Sequence, residues 1–167
     1  MNINLSYNSL YDTVSRSLSV IGKRLTDDNG KPLFADITLG SLEKPLITDY
    51  FRQAVIDLTA ELAAFITAAS SENVTFAITL PDNHNPHTEE FIIQSCEAYC
   101  VSYALYSWFT ITAPRLAEKY LNDCRRQVAA VIRLTHLKEA PSQSDNILST
   151  STTVQTDIDT VTESGQS

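Results

Sequence analysis

Glycine is scarce in this sequence, and nowhere is it clustered. The 167 residues include one methionine, one tryptophan and only four glycines, which stand far apart at Gly22, Gly30, Gly40 and Gly165. A loop that cradles phosphate with its backbone amides needs several closely spaced glycines. A nucleotide-binding loop of that kind is therefore excluded.

Positive charge is missing from the middle of the chain. From Gln53 to Pro114 there is no lysine or arginine but there are seven acids, whereas Arg115–Lys138 carries six basic residues and two acids. Glu139–Ser167 again has five acids and no base, and the whole chain has a formal net charge of −8. A protein that wraps nucleic acid needs a basic surface, and the acidic net charge of this chain argues against that function. The separated blocks suit head-to-tail association of subunits, but taken alone they favour an ordinary solvated surface.

Long apolar runs and a secretory signal are also missing. The longest uncharged stretch, Ala98–Pro114, contains Ser and Thr and is shorter than the ~20 apolar residues of a membrane-spanning helix. Met1–Asn4 lacks the basic and apolar start of a signal peptide, which predicts that the protein stays in the cytoplasm of the cell that makes it. The three cysteines are then expected to be reduced.

Apolar residues at helical spacing predict four helices, the first two of which lie in the first half of the chain. The first is expected over about Ser6–Arg24, and the second carries an apolar stripe from Ile47 to Ala69. Val74–Leu80 alternates at period two and predicts a short strand or β-hairpin between helices two and three. Because a lone strand leaves its edges unpaired, its partner is expected to be Leu33–Phe34, a second arm of its own loop, or a neighbouring subunit.

The second half of the chain predicts two more helices and a polar tail. Thr88 is placed to cap a third helix whose apolar stripe begins at Phe91, and Pro114 opens a fourth helix that Pro141 ends. In residues 141–167, 12 of 27 residues are Ser or Thr and none is Lys, Arg or aromatic, which is too little apolar area to fold alone. The sequence thus predicts a mainly α, four-helix bundle-like domain over residues 1–140 and an extended acidic C-terminal tail over residues 141–167 that a partner orders.

Two histidines and two cysteines come nearest to a metal site. Cys96 and Cys100 stand four residues apart, so they share one face of the third helix, and His84 and His87 precede them. The same cysteine spacing is typical of small core residues, and the histidines fall in an irregular tip between the strand and the helix. Core packing is the favoured interpretation, and no metal or other cofactor is predicted.

Catalytic motifs are incomplete. Ser41–Lys44 matches the S-x-x-K pattern of acyl-serine enzymes and Ser144–Asn146 matches their second motif, but the third is absent and the second lies in the tail. Glu89, Glu90 and Glu97 could act as an acid and base pair, although acids at a helix start ordinarily stabilise the helix dipole. We therefore predict that the protein is not an enzyme.

The densest aromatic group of the chain lies in the predicted third helix and contains Tyr99, Tyr103, Tyr106, Trp108 and Phe109. These side chains either fill the core between helices two, three and four or form an exposed anchor for a partner, and core packing is favoured.

The order of these parts resembles a known family of structural proteins. The chain has a short helix, a long helix ending in Leu62–Phe65, a strand with a Pro-Asp-Asn tip, and a helix pair carrying Tyr106–Phe109 and Ala113–Tyr120, followed by the polar tail. In this it is similar to the head-to-tail connector proteins of tailed bacteriophages, also called adaptor or ring proteins, which include the tail accessory factors of short-tailed phages. The likeness covers nearly the whole chain and rests on architecture and a loose Trp-Phe…Pro…Tyr pattern.

This resemblance implies a virion protein of the phage neck. It would form a ring of about a dozen copies that joins the portal protein to other neck or tail proteins and lets DNA pass without specific binding. The implied tail-side tip comprises Pro81, Asp82, Asn83 and His84. The implied contact with the portal or a neighbouring subunit lies in the tail, over Pro141–Ser167. Helical spacing there marks Val154, Ile158 and Val161 as candidate anchors, with Asp157 and Asp159 beside them, and a chance pattern in a Thr-rich stretch is the alternative. The implied contact between subunits of the ring pairs acidic and basic residues, namely Glu89, Glu90, Arg115, Lys119, Arg125, Arg126 and Arg133.

An alternative of another class is a cytoplasmic helical binding or regulatory module. Such a module would use its acidic tail to occupy a basic site on a partner. Particle size distinguishes the two hypotheses, because a connector forms large rings and a regulator forms a small complex.

Overall fold

The computed structural model describes residues 1–24 and 43–138, and within these ranges it is mainly helical with one small sheet. The helices are α1 (Tyr7–Arg24), α2 (Lys44–Glu61), α3 (Glu89–Thr112) and α4 (Pro114–Thr135). The strands are β1 (Asn2–Asn4), β2 (Ile66–Ser70) and β3 (Thr75–Ile78), which pair antiparallel in the order β1-β3-β2. The predicted helical core with a short strand element is confirmed. The predicted strand at Leu33–Phe34 and the predicted tail lie outside the described residues.

Helix α3 is the centre of the structure. It packs against α1, α2 and, most extensively, α4, with which it forms an antiparallel hairpin through Ala113. A helix that is apolar on nearly all sides is expected to be buried. The core around it contains Val14 and Leu18 from α1 and Phe51 from α2. On α3 itself the buried residues are Ile92, Cys96, Tyr99, Cys100, Ala104, Leu105 and Phe109.

Helix α2 is shorter than its apolar stripe predicts. It ends at Glu61, and Ile66–Ser70 forms β2 instead of two further helical turns. A tight turn follows the helix, in which the amides of Phe65 and Ile66 both donate to the carbonyl oxygen of Leu62, at 2.8 and 3.0 Å. The prediction of helix up to Ala69 is wrong because β3 needs hydrogen-bond partners along its edges, which the helical conformation of this segment would not provide.

The N-terminal residues form the other edge of the sheet, a pairing partner for β3 that was not predicted from the sequence. Ile3 lies opposite Phe76, and the amide of Ile78 donates to the carbonyl oxygen of Met1 at 2.9 Å. The expected second arm of the loop is β2, and alternate residues of β3 face the core. Val74, in the turn before β3, is fully buried with a φ of 48°.

Three details of the α3–α4 hairpin also differ from expectation. Thr88 precedes α3 but forms no side-chain cap on it, because its hydroxyl donates to the carbonyl oxygen of Asn85 at 2.8 Å. Phe91 is 55% exposed rather than part of the core. Helix α4 ends at Thr135, before Pro141. Among the described residues, no helix combines the length and the apolar character that crossing a membrane would require.

Candidate site: a tyrosine groove and a basic helix face

An open groove runs between α2 and α4, with α3 as its floor. Both outer helices pack on α3 but scarcely touch each other, which leaves a space of about 680 Å³. Three tyrosines of α3 form the floor, and we call this space the tyrosine groove. Its lining comprises Tyr99, Tyr103 and Tyr106 from α3, Asp57, Ala60 and Glu61 from α2, and Leu121, Cys124, Arg125, Val128, Ala129 and Ile132 from α4.

Helical spacing places the three tyrosines together. Residues three and four apart share one face of a helix, so Tyr99, Tyr103 and Tyr106 follow one another along α3. The ring centroids of Tyr99 and Tyr103 are 6.1 Å apart in a stacked arrangement, and those of Tyr103 and Tyr106 are 6.1 Å apart edge to face. The three rings therefore adjoin one another, with Tyr99 buried and Tyr103 and Tyr106 half-buried at the floor of the groove.

Tyr103 and Asp57 join the floor of the groove to its α2 wall. Burial raises the pKa of the Tyr103 phenol, and its hydrogen bond to the Asp57 carboxylate raises that pKa further. The Oδ1 atom of Asp57 also accepts from Nε2 of Gln53 at 2.8 Å. Tyr103 is thus a neutral donor at neutral pH, and Asp57 is a fixed acceptor at the groove wall.

The α2 wall of the groove is negative. Asp57 and the exposed Glu61 lie one turn apart in the last part of α2, which has no basic residue in its final turn. The carboxyl end of a helix dipole adds negative potential there. Within residues 1–24 and 43–138, the ion pairs are Arg52–Asp49 at 2.9 Å and Arg126–Asp123 at 2.7 Å. Neither Asp57 nor Glu61 is in a salt bridge in this part of the chain.

Four of the five predicted basic contact residues share one face of α4. Arg115, Lys119, Arg126 and Arg133 are exposed, and their spacings of four and seven residues place them on one side of the helix. We call this side the basic face. It points away from α3, because Ala117, Cys124 and Val131 on the opposite side are buried.

The fifth basic residue, Arg125, lies elsewhere. It belongs to the α4 wall of the tyrosine groove, where its Nη1 donates to Oδ1 of Asn122 at 3.5 Å. On the basic face, Arg126 pairs with Asp123, and Lys119 lies over the ring of Tyr120 at 5.3 Å. The predicted basic set is therefore split between two surfaces of the helix.

The predicted acidic contact residues Glu89 and Glu90 lie in the first turn of α3. Glu90 is exposed and accepts from Nε2 of Gln94 at 3.2 Å. Because α3 and α4 are antiparallel, this turn lies near the carboxyl end of α4, where Phe91 and Arg133 line one shallow depression. Glu89 and Glu90 thus lie at the same end of the subunit as Arg133.

The predicted tip is exposed at Pro81, Asp82 and Asn83 but anchored at His84. The Thr88 hydroxyl donates to Asn85, so the 3.1 Å contact between Thr88 Oγ1 and His84 Nε2 requires the imidazole to donate. Backbone pairing of His84 with Lys138, and a 3.0 Å hydrogen bond from the Asn85 amide to the Leu137 carbonyl oxygen, tie the tip to the end of α4.

The cysteines are buried core residues. Cys96, Cys100 and Cys124 are all free and buried. Burial raises the pKa of the Cys96 and Cys124 thiols to about 12 and raises the pKa of Cys100 as well. In the part of the chain that the structure describes, no three His, Cys, Asp or Glu side chains converge as metal ligands.

Sequence reasoning missed the groove. The spacing of the tyrosines indicated a shared face, and the favoured interpretation placed that face wholly in the core, whereas the structure leaves Tyr103 and Tyr106 half-buried. The predicted tail contacts Val154, Asp157, Ile158, Asp159 and Val161 lie outside the described residues. Comparison with protein-family models, with curated proteins and with solved structures finds no match to this chain.

Proposed function

We propose that this chain is a structural subunit of an oligomeric ring in the neck of a tailed bacteriophage. The ring would join the portal protein to the tail and let DNA pass through its centre. The protein would be found in the host cytoplasm during assembly and in the virion afterwards.

One observation carries this proposal: the subunit has two unlike charged surfaces that do not overlap. The basic face of α4 points away from α3, whereas the acidic wall of the tyrosine groove belongs to α2. Two complementary surfaces at different places on one subunit favour heterologous contacts, which close into a ring when the rotation between subunits allows it. A two-fold dimer would instead require one self-complementary patch.

The tip lies at one end of the subunit, which leaves the opposite end for the portal protein. The exposed tip residues Pro81, Asp82 and Asn83 lie beside Lys138, where the described chain ends. Residues 139–167 would span up to about 95 Å if extended, and α4 with its 22 residues is only about 33 Å long. The C-terminal segment is therefore long enough to reach the far end of the subunit, where we place the portal.

The net charge supports the proposal that DNA passes without binding. The formal net charge of −8 repels phosphate, and a negative channel surface lowers the affinity for a passing duplex. Under this proposal DNA slides through the ring, and the α4 cations are used in contacts between subunits.

Electron microscopy of the protein mixed with candidate portal protein tests the proposal. We expect rings seated on the portal, and we expect a variant lacking residues 141–167 to fold but not to assemble. A complex of one-to-one or dimeric size would favour the helical binding module instead. Ring assembly that persists without residues 141–167 would show that the tail is not the partner-binding segment.

A further inference from the structure

The tyrosine groove is an open surface whose two acidic side chains are in no salt bridge within the described part of the chain. Asp57 and Glu61 stand four residues apart on α2, so the two residues are about 6 Å apart along the helix axis. Glu61 is exposed, and the hydrogen bond from Gln53 fixes Asp57. Arg125 on the facing wall leaves the three charged side chains of the groove with a net negative charge.

The basic face carries a pair with matching spacing. Arg115 and Lys119 are exposed and also stand four residues apart, in the first two turns of α4, so they too are about 6 Å apart along the axis. The helix dipoles match as well, because the first turn of α4 is positive and the last turn of α2 is negative. Arg126 and Arg133 match less well, since seven residues separate them and Arg126 already pairs with Asp123.

We infer that Arg115 and Lys119 of one copy dock on Asp57 and Glu61 of a second copy, over the rim of the tyrosine groove. This inference rests on the proposed ring and names the two surfaces that meet in it. Cations placed there also lie beside the rings of Tyr103 and Tyr106, whose faces attract them. Because the donor pair is on α4 and the acceptor pair on α2, two subunits joined by a first contact together keep one free acceptor pair and one free donor pair, to which further copies can add.

Paired charge reversals on the full-length chain test this inference. The acceptor variant is Asp57→Lys with Glu61→Lys, and the donor variant is Arg115→Glu with Lys119→Glu. Like charges facing each other cost several kcal/mol, so we expect each variant alone to associate about a hundredfold more weakly than wild type. A control variant, Arg16→Glu with Lys138→Glu, has the same charge change as the donor variant and should associate like wild type.

Mixing the two reversed variants is the decisive arm. The acceptor variant then offers cations to the anions of the donor variant, so an equimolar mixture should recover the large assemblies seen by sedimentation velocity. Variants that had simply misfolded would not recover. The inference is overturned if the mixture stays monomeric, if the control variant loses association equally, or if wild type is monomeric at its highest soluble concentration. If the reversed variants still form rings on the portal protein, the proposed function is supported and only the named contact is wrong. Failure of the contact and failure of the proposed function are therefore distinguishable.

Discussion

Replacing Thr88 with valine should release the tip from the end of α4. Thr88 is 5% exposed, and its hydroxyl donates to Asn85 and accepts from His84 Nε2. Valine keeps the shape of the side chain but removes both hydrogen bonds. The Asn85 carbonyl oxygen still accepts a hydrogen bond from the Thr88 amide at 3.1 Å. His84 therefore loses most, because its Nε2 loses its acceptor and its buried Nδ1 already has no partner among the described residues.

The expected cost follows from that imidazole. An unsatisfied buried polar group costs about 1–3 kcal/mol, and for a chain of this size each kcal/mol lowers the melting temperature by about 2–4 °C. Urea unfolding of Thr88→Val should show this loss. The Asn85 amide, which donates to Leu137, should also exchange its hydrogen faster.

Thr88→Ser is the matched control, because it keeps the hydroxyl and loses only a methyl group. We expect its free energy of unfolding to stay closer to that of wild type. If Thr88→Val is as stable as Thr88→Ser and the exchange of the Asn85 amide is unchanged, the tip is not held by this pair of hydrogen bonds.

Three further predictions concern the core. Since folding raises the pKa of the Cys96 and Cys124 thiols from 9.0 to about 12, the unfolded chain releases those protons first. The free energy of unfolding should therefore fall between about pH 9 and 12, by at most about 1.4 kcal/mol per pH unit for each thiol. When both cysteines are replaced with alanine, the free energy of unfolding, followed by circular dichroism, should fall less steeply with pH. An unchanged pH dependence would refute this. Phe109→Ala, at a ring 2% exposed and stacked on Tyr120, should cost about 3–5 kcal/mol in urea, whereas the exposed Phe91→Ala should cost about 0.5 kcal/mol; equal costs would contradict the described packing. Val74→Gly should destabilise less than Val74→Ala, by about 1 kcal/mol, because a φ of 48° strains any residue with a Cβ; the reverse order in urea would mean that this backbone is not left-handed.

Sequence periodicity was a good guide to the helices because each buries an amphipathic or fully apolar face. The prediction of α1 over Ser6–Arg24 differs from the structure by one residue, and the start of α4 at Pro114 is confirmed. The same periodicity failed at Ile66–Ser70. The local spacing of apolar residues there favours a helix, but the segment forms a strand because it pairs with β3. Pairing between residues as distant as Ile3 and Phe76 leaves no local pattern in the sequence.

The candidate site was harder to predict, because it depends on how two helices diverge. The basic residues of α4 were recognised from composition, but only the structure separates Arg125 from the basic face. The tyrosines were expected in the core, and whether the face of Tyr103 is covered depends on the distance between α2 and α4 across α3. The contribution of Asp57 and Glu61 is also invisible in the sequence, where both are ordinary acids of a helix end.

Head-to-tail association between copies of this chain is the central proposal. The mass of the assembled protein, measured by light scattering from low to high salt, tests it. We expect one large closed assembly at low salt that dissociates as salt screens the contact between Arg115, Lys119, Asp57 and Glu61. A two-fold dimer, or an assembly whose mass does not change with salt, would contradict the charge-based head-to-tail contact.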